Sequence, residues 1–242
     1  MKKKIAERMF SLVLAGAAMG TVSGCATTAS NPKDPYEGFN RAMYAVNEGV
    51  DVVLKPVAQG YDAAAPLPVK AGVGNFFGNI ADVWTAVNNL LQGKIDQAAS
   101  DAGRVLLNTT VGIGGVFDIA SEVGLQKHSE DFGQTLGKWG VGDGPYFFWP
   151  IIGPRTARDT LGWGVDAYVD PVSNVSDVPW RNSLLGVRLI DTRASLLPSD
   201  KVVEEAAFDK YNYIRDAYLQ HRRSQIHDGN PPRDLLEGDE IK

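Results

Sequence analysis

Residues 34–61 read DPYEGFNRAMYAVNEGVDVVLKPVAQGY and combine a helix start with a helical repeat. Asp34 can accept hydrogen bonds as the N-cap, and Pro35 suits the first helical position. The apolar residues that follow recur at steps of three and four, which places them on one helix face: Phe39, Met43, Val46, Val50, Val53, Leu54 and Val57. The spacing predicts a helix over residues 36–57. It favours a face packed in a protein core over one that contacts lipid.

Helical spacing returns in several later parts of the chain. It predicts a helix over residues 73–91, with Gly93 as its stop signal. It also predicts helices over residues 95–108, 180–197 and 198–223. No period of 20–50 residues indicates a repeat array. The chain is therefore predicted to be mostly α, with a single helical domain over residues 34–223.

A segment rich in glycine and aromatic residues interrupts this helical pattern. Residues 131–159 read DFGQTLGKWGVGDGPYFFWPIIGPRTARD. A nucleotide-binding loop would need a glycine turn that leads into a helix, and a P-loop would also need a lysine followed by serine or threonine; neither is present. Two interpretations remain for this segment. It is either a buried irregular stretch that packs aromatic rings, or a flexible apolar element that moves.

The N-terminus has the pattern of an export signal. Four basic residues, Lys2, Lys3, Lys4 and Arg8, precede an apolar run that is too short to cross a bilayer. Residues 22–25, VSGC, resemble the bacterial lipobox and contain the only cysteine. Cys25 is therefore the predicted lipidation site, while an ordinary signal peptide that ends near a cysteine is the alternative. Residues 1–24 are the predicted signal peptide.

Short polar segments flank the predicted domain. Residues 25–33 form a lipidated tether, and residues 224–242 form an acidic, disordered tail. Ala26 follows the cysteine, whereas lipoproteins kept in the inner membrane commonly carry aspartate there, so the expected destination is the outer membrane. Two or three acyl chains on the cysteine would hold the protein to that membrane durably.

The charge of the mature chain limits its partners. The signal holds four of the 24 basic residues and one of the 29 acidic ones, so the mature net charge is −8. Such a chain has no general attraction for nucleic acid or anionic lipid headgroups. Membrane contact beyond the anchor must therefore come from apolar surface. No stretch after the signal has 18 or more consecutive apolar residues, so no spanning helix is predicted.

The sequence does not indicate an enzyme. It has no Gly-x-Ser-x-Gly elbow and no His-Glu-x-x-His metal helix, and of its histidines His221 and His227 lie near the tail. No cofactor is expected. A non-transporting envelope scaffold lipoprotein remains an alternative, because the anchor and the acidic surface fit it as well.

Four separated motifs resemble the MlaA (VacJ) family of outer-membrane lipoproteins. They read DPYEGFNRAMYAVN, RVLLNTTVGIGGVFDIA, DFGQTLGKWGVGDGPYFFWPIIGP and IRDAYLQHR, and they follow the lipobox in the family's order. The resemblance implies a ring-like arrangement of amphipathic helices in the inner leaflet, enclosing an amphipathic channel. It implies removal of mislocalised phospholipids from the outer leaflet, which maintains lipid asymmetry. It also implies a trimeric porin and a soluble periplasmic phospholipid carrier as partners.

Two groups of residues are candidate functional positions within these motifs. Gly140, Gly142 and Gly144 match the family's glycine-rich motif, and we hypothesise that they permit gating of the lipid path, with Gly142 in a positive-φ conformation. Phe39, Asn40 and Arg41 stand on the first turns of the first helix, near the anchored end. They are predicted to set how deeply the domain sits in the leaflet, with simple packing and capping as the alternative.

Overall fold

The computed structural model describes residues 31–232. Cys25, the signal peptide, most of the tether and residues 233–242 lie outside these described residues. Within them, helices and one strand pair follow each other along the chain: α1 (Glu37–Ala64), α2 (Leu67–Leu91), α3 (Ile95–Thr110), α4 (Ile119–Glu122), α5 (Phe132–Lys138), β1 (Tyr146–Trp149), β2 (Gly153–Thr156), α6 (Ala157–Val169), α7 (Val178–Ser195), α8 (Leu197–Ala206) and α9 (Lys210–Ile226). The predicted mostly helical single domain is confirmed.

The first helix differs from its prediction at both ends. Tyr36 is the N-cap residue and makes no side-chain cap bond. The N-cap role predicted for Asp34 is wrong, because its carboxylate is buried and accepts hydrogen bonds from Asn40, Tyr211 and Arg215 instead. At the other end, the helix continues through Pro56 to Ala64. Residue 34 is thus part of the interior of the fold.

The C-terminal helices also correct the sequence prediction. Residues 198–223 were expected to form one helix, but α8 and α9 are separate, and Asp209 caps α9 by accepting a hydrogen bond from the Asn212 backbone N–H. Helix α9 then extends to Ile226, which is buried. Residues 224–226 therefore belong to the domain, and a tail starts no earlier than residue 227.

The glycine-rich and aromatic segment forms a short helix, a loop and a hairpin. Strands β1 and β2 are antiparallel, with Tyr146 opposite Thr156 and Trp149 opposite Gly153. Positive φ angles at Ile151 (69°) and Gly153 (89°) turn the chain between the strands. Because the pleat alternates, Tyr146 and Phe148 are buried on one face, while Phe147 and Trp149 lie on the other.

The contacts between these elements run in a closed circuit. Helix α1 contacts α7, α7 contacts α2, α2 contacts α5, and α5 contacts α6; α6 then contacts β2, and β1 returns to α1. Helix α3 packs along α2, and α9 contacts α5 and β2. The order of contacts is that of a ring, as the family resemblance implies.

The burial pattern of this ring is the reverse of that of an ordinary soluble domain. Among the described residues, 17 polar or charged side chains are buried, against eight apolar ones. Val46, Val53 and Val57 are exposed, and none of the seven apolar residues of the predicted α1 face is buried. The expectation of a core-facing apolar stripe on α1 holds only in part: Phe39, Met43, Val50 and Leu54 are half-buried, and Met43 packs against the buried aromatic cluster of the hairpin and α9. The fully buried residues of the helix are Asn40 and Ala58.

Candidate functional site

A cavity of about 320 Å³ lies between α1, the hairpin and α7, with α8 and α9 at its edge. Two sets of side chains line it, and α1 and α7 contribute to both. The polar set, here termed the polar wall, consists of Asn47, Glu48, Asp51, Thr192, Arg193 and Asp200. The apolar set, here termed the apolar wall, includes Val50, Leu54, Phe148, Ile151, Ile152, Pro154, Leu189, Leu196 and Ile214. A space lined by both kinds of side chain suits an amphipathic molecule, because a headgroup and a hydrocarbon chain can each find matching groups.

Arg193 organises the polar wall. Its Nε and Nη2 donate to the two oxygens of Asp51 at 2.7 and 2.8 Å, and Nη2 also donates to Asp200 at 2.6 Å. This hydrogen bonding holds the pKa of Asp51 below its usual value. The other terminal nitrogen, Nη1, is buried and has no hydrogen-bond partner in residues 31–232. The guanidinium therefore joins α1 to α7.

Two asparagines of α1 hold the hairpin against the helix. Asn40 is fully buried; its Nδ2 donates to the Tyr146 carbonyl at 3.0 Å, and its Oδ1 accepts from the Phe148 N–H at 2.9 Å. Asn47 accepts from the Ile151 N–H, also at 2.9 Å. Since the two residues are two helical turns apart, they fix both the base and the tip of the hairpin. The apolar wall of the cavity is thus positioned by α1.

A buried charge network closes the junction of α5, α6 and α9. Arg222 donates to Asp131 at 2.6 Å and to Asp159 at 3.0 Å, while Tyr218 donates to Asp159 at 2.6 Å. Burial by itself would raise the pKa of Asp159, but Arg222, Tyr218 and Arg158 hold it at about 2. The carboxylate is therefore ionised, and its charge is balanced within the protein.

Two glycines allow the helices of this junction to touch. A Cβ added at Gly162 of α6 would lie 2.4 Å from the Gly133 backbone nitrogen of α5. A Cβ added at Gly133 would in turn lie 2.4 Å from Arg222 Nη2. No side chain larger than hydrogen fits at either position without a shift. The junction leaves no space for a ligand, in contrast to the cavity.

The chain can be compared with known proteins on this basis. The sequence profile of the MlaA lipoprotein family matches residues 32–225. The chain belongs to the MlaA lipoprotein family. The Escherichia coli K12 intermembrane phospholipid transport system lipoprotein MlaA is 37% identical over 219 residues, which cover 86% of each chain. An uncharacterised protein of Rickettsia typhi is 38% identical over 195 residues, which cover 80% of this chain and 78% of that protein.

A solved structure of the family supports the fold. It comes from work on the structural basis for maintenance of bacterial outer membrane lipid asymmetry, and it matches with a TM-score of 0.70 at 34% identity. The match covers 80% of this chain and 98% of the solved one. The resemblance that the four sequence motifs indicated is therefore confirmed.

The three candidate gating glycines have different environments. Gly140 (φ 90°) ends α5: its N–H bonds to the Gly137 carbonyl and the Val141 N–H bonds to the Leu136 carbonyl, which is a Schellman motif. Gly144 has φ 65°. Gly142 does not have a positive φ, and a Cβ added there would meet nothing within 4 Å. The predicted positive-φ conformation of Gly142 is therefore wrong.

The loop that carries these glycines is fastened to α6. Arg158 is buried, and its Nη1 donates to Asp143 Oδ1 at 2.5 Å and to the Val141 carbonyl at 3.4 Å. The Arg158 N–H also bonds to the Asp143 carbonyl. Motion of this loop would have to break or carry these contacts. Gating by Gly140, Gly142 and Gly144 stays a hypothesis.

The three candidate residues of α1 do not act as one group. Asn40 lies in the interior, whereas Phe39 meets Trp149 edge to face with a centroid distance of 6.4 Å. Arg41 pairs with Glu37 of its own helix and with Asp209 at the start of α9, and its guanidinium lies 4.5 Å from the centre of the Tyr211 ring. All three residues make structural contacts, and their predicted influence on membrane depth stays a prediction.

Sequence reasoning missed Asn47, Arg193, Arg222 and Asp159. Asn47 and Arg193 are polar residues outside the apolar spacing that identifies the helices, so periodicity gives them no role. A signal for the junction was present in the two glycines of the helices α5 and α6. Their pairing across 29 residues could not be read from spacing along one helix. Within residues 31–232, no group of three or more His, Cys, Asp or Glu side chains could hold a metal ion.

Proposed function

We propose that this protein is an intermembrane phospholipid transport lipoprotein of the outer membrane that maintains lipid asymmetry. The observation that carries the proposal is the amphipathic cavity between α1, the hairpin and α7, in a domain whose buried side chains are mostly polar and whose surface is rich in exposed apolar side chains. The family membership and the name of the Escherichia coli relative point to the same role. The protein is a transport lipoprotein and not an enzyme.

The surface of the domain suits partial immersion in a bilayer. Large apolar side chains are exposed on α1, α2, α3, α6 and α7, including Leu67, Leu106, Leu161 and Trp180. A water-soluble monomer rarely exposes this much apolar surface. No helix within residues 31–232 is long and apolar enough to cross a membrane. The anchor at Cys25 and the apolar surface together would hold the ring in the periplasmic leaflet.

The cavity allows a lipid to pass without a chemical step. Its polar wall, centred on Arg193, Asp51 and Asn47, would accept a phospholipid headgroup, and its apolar wall would accept hydrocarbon. Because every backbone group of a helix is bonded within the helix, the ring can expose its outer surface to lipid at low cost. Transfer is passive in this proposal and follows the difference in chemical potential between the two leaflets. Phospholipids that reach the outer leaflet by mistake would move inward.

Two protein partners belong to the proposal. We infer from the family resemblance that a trimeric porin supports the ring in the membrane and that a soluble periplasmic carrier receives the lipid. The exposed apolar exterior offers surface for the first contact. Neither partner requires a nucleotide site or a cofactor in this chain.

A non-transporting scaffold lipoprotein is the alternative, and the cavity argues against it. A scaffold needs an anchor and an exposed surface, but it has no use for a space that is lined by both polar and apolar side chains.

Deletion of the gene tests the proposal. The outer leaflet is assayed for phospholipid that an added, membrane-impermeant reagent can reach, and the strain is complemented with the wild type or with Cys25→Ala. We expect accumulation in the deletion strain, restored by the wild type and not by the unanchored variant. A deletion strain with normal asymmetry, in a background without a second transport system, would instead support the scaffold.

A further inference from the structure

Arg155 differs from the other arginines in the interior of the protein. The buried arginines Arg104, Arg158, Arg215 and Arg222 each contact at least one carboxylate within 3.5 Å. Arg155, on β2, is partly buried and has neither an ion pair nor a hydrogen bond in the part of the chain that the structure describes. Its Nε is shielded from solvent and has no partner there. Its terminal nitrogens have no partner in residues 31–232 either, but they reach solvent and are therefore open to an external ligand.

The surroundings of Arg155 do not neutralise it. Its guanidinium carbon lies 5.7 Å from the centre of the Trp163 ring, which is within the range of a cation–π contact. Burial lowers the pKa of Arg155, and the charges of Asp131 and Asp159 only partly offset this effect. Both of these carboxylates are already bonded to Arg222. The guanidinium thus keeps its hydrogen-bonding capacity for a group that the chain does not supply.

Aromatic rings surround this cation on one face of the hairpin. Arg155 lies opposite Phe147 in the strand register, and Phe147 stacks on Trp149 at 5.9 Å and on Tyr36 at 5.5 Å. Trp149 donates its indole N–H to Thr160 of α6, one turn before Trp163. Tryptophan and tyrosine concentrate at the headgroup level of membranes because their rings are apolar and their edges are polar. The aromatic group therefore places Arg155 where lipid phosphates are found.

We propose that Arg155 binds the phosphate group of a glycerophospholipid at this face of the hairpin. The inference rests on the proposed function, because it takes phospholipid as the anion that meets the protein. A guanidinium offers two parallel N–H donors that match two phosphate oxygens. Trp163 and Trp149 contact the glycerol and the first methylene groups. Arg193 is less suited to this task, since its charge is balanced by Asp51 and Asp200.

The proposed phosphate site at Arg155 and the amphipathic cavity lie on opposite faces of the hairpin. Phe148 and Pro154 face the cavity, whereas Phe147 and Arg155 face the aromatic group. A phosphate held by Arg155 is therefore separated from the amphipathic cavity by the hairpin. Arg155 is a specificity-determining residue in this account: it selects lipids that carry a phosphate before their chains enter the cavity.

Lipid binding by the purified, full-length lipoprotein tests this assignment. The wild type, Arg155→Gln, Arg155→Lys and Arg181→Gln are titrated in detergent with phosphatidylethanolamine and with the diacylglycerol that has the same chains. Arg181, at the start of α7, also has no acidic partner within residues 31–232 and serves as the matched control. Bound lipid is measured by native mass spectrometry, the phosphate resonance by phosphorus NMR, and the melting temperature of each variant by calorimetry.

We expect Arg155→Gln to weaken phosphatidylethanolamine binding about tenfold and to leave diacylglycerol binding unchanged, because one charge-assisted contact is lost. Arg155→Lys should retain part of the affinity, and Arg181→Gln all of it. The melting temperature of Arg155→Gln should stay equal or rise, since an unpaired cation is removed. Millimolar inorganic phosphate should not displace the lipid, because it lacks the chains that the aromatic rings contact.

Several results would overturn the assignment. Equal phospholipid affinity of Arg155→Gln and the wild type would exclude phosphate binding by Arg155. A matching loss of diacylglycerol, or a lowered melting temperature, would make the residue structural. A comparable loss in Arg181→Gln would indicate a general charge effect, and displacement by inorganic phosphate would make free phosphate the ligand. A wild type that binds neither lipid would count against the transport role itself.

Discussion

The junction of α5, α6 and α9 and the cavity beneath the hairpin are both built from arginine–aspartate pairs, yet only one of them encloses space. At the junction, Gly133 and Gly162 let the backbones touch, and the buried Arg222 lies between two aspartates. At the cavity, the paired charges border an open space that is also lined by aliphatic side chains such as Ile151 and Leu189. The residues between the ion pairs therefore decide whether paired charges close a structure or line an opening.

The difference also assigns different tasks to the two arginines. Arg222 stabilises the fold, because its removal leaves the buried carboxylate of Asp159 and the partly buried one of Asp131 with one fewer counter-charge. Arg193 lines the cavity and pairs with partly exposed aspartates, so its removal should affect transport more than folding. Stability and transport measurements on matched variants can separate these tasks.

Arg222→Gln should have the largest effect on stability. It removes one member of a buried ion-pair network, which costs about 3–5 kcal/mol of the free energy of unfolding. Arg41→Gln, which breaks a half-exposed pair with Asp209, should cost less than about 1 kcal/mol. Denaturant unfolding of the purified protein in detergent gives both values. Equal losses for the two variants would remove the distinction between the closed junction and the protein surface.

Gly162→Ala should be the next most damaging change. Its Cβ would lie 2.4 Å from a backbone nitrogen of α5, so the two helices must separate, at a cost of about 1–3 kcal/mol or more. Gly164→Ala, two residues later in the same helix, meets nothing within 4 Å and should stabilise the helix by up to about 1 kcal/mol. Opposite signs in thermal unfolding are the expected result. Destabilisation by both variants would show that α6 tolerates alanine poorly in general, and that the contact with α5 is not the cause.

Acid should weaken the junction over a defined pH range. The pKa of Asp159 is about 2 in the folded protein, below its ordinary value of 3.8, and the pKa of Asp131 is also lowered. The stabilisation from Asp159 is fully present above about pH 4 and is lost as the pH falls towards 2, on the order of 2 kcal/mol. Unfolding measured against pH should show this slope in the wild type. Asp159→Asn should flatten it, and an unchanged slope would contradict the assigned pairing.

Arg193→Gln should have a small effect on stability and a large one on transport. Its partners are partly exposed, so we expect a loss of about 1 kcal/mol in the free energy of unfolding. Outer-leaflet phospholipid in a strain that carries only this variant should approach the level of the deletion. Arg188→Gln, which loses a pair with Asp170 away from the cavity, serves as the control. Full complementation by Arg193→Gln would show that transport does not depend on this residue of the polar wall.

Local signals along the chain predicted much of the helical framework. Helix α2 ends where Gly93 indicated, in a Schellman motif formed by the Gly93 and Lys94 N–H groups, and α3 covers the predicted segment 95–108. The break between α8 and α9 was missed because no glycine or proline marks residues 207–209. There the chain turns at an exposed Phe208, and Asp209 begins the next helix.

The direction in which the helices face could not be predicted from periodicity. A regular spacing of apolar residues identifies a face, but it does not say whether that face meets protein or lipid. On α1 the part of the stripe that contains Val46, Val53 and Val57 is outside, while Asn40 is inside. The candidate site could not be predicted for the same reason, because its polar residues lie in the interior and not on the surface. Asn40, Asn47 and Arg193 become recognisable as a set only once the hairpin lies beside α1.

Filling the cavity tests the central claim most directly. Leu189→Trp places a large ring in the amphipathic cavity from α7, whereas Val53→Trp, on α1 at a position 71% exposed, adds the same ring to the outer surface. Both variants are expressed in the deletion strain, their folding is checked by thermal unfolding, and outer-leaflet phospholipid is measured. The account predicts accumulation with Leu189→Trp and normal asymmetry with Val53→Trp. A folded Leu189→Trp variant that restores asymmetry fully would contradict passage of phospholipid through this cavity.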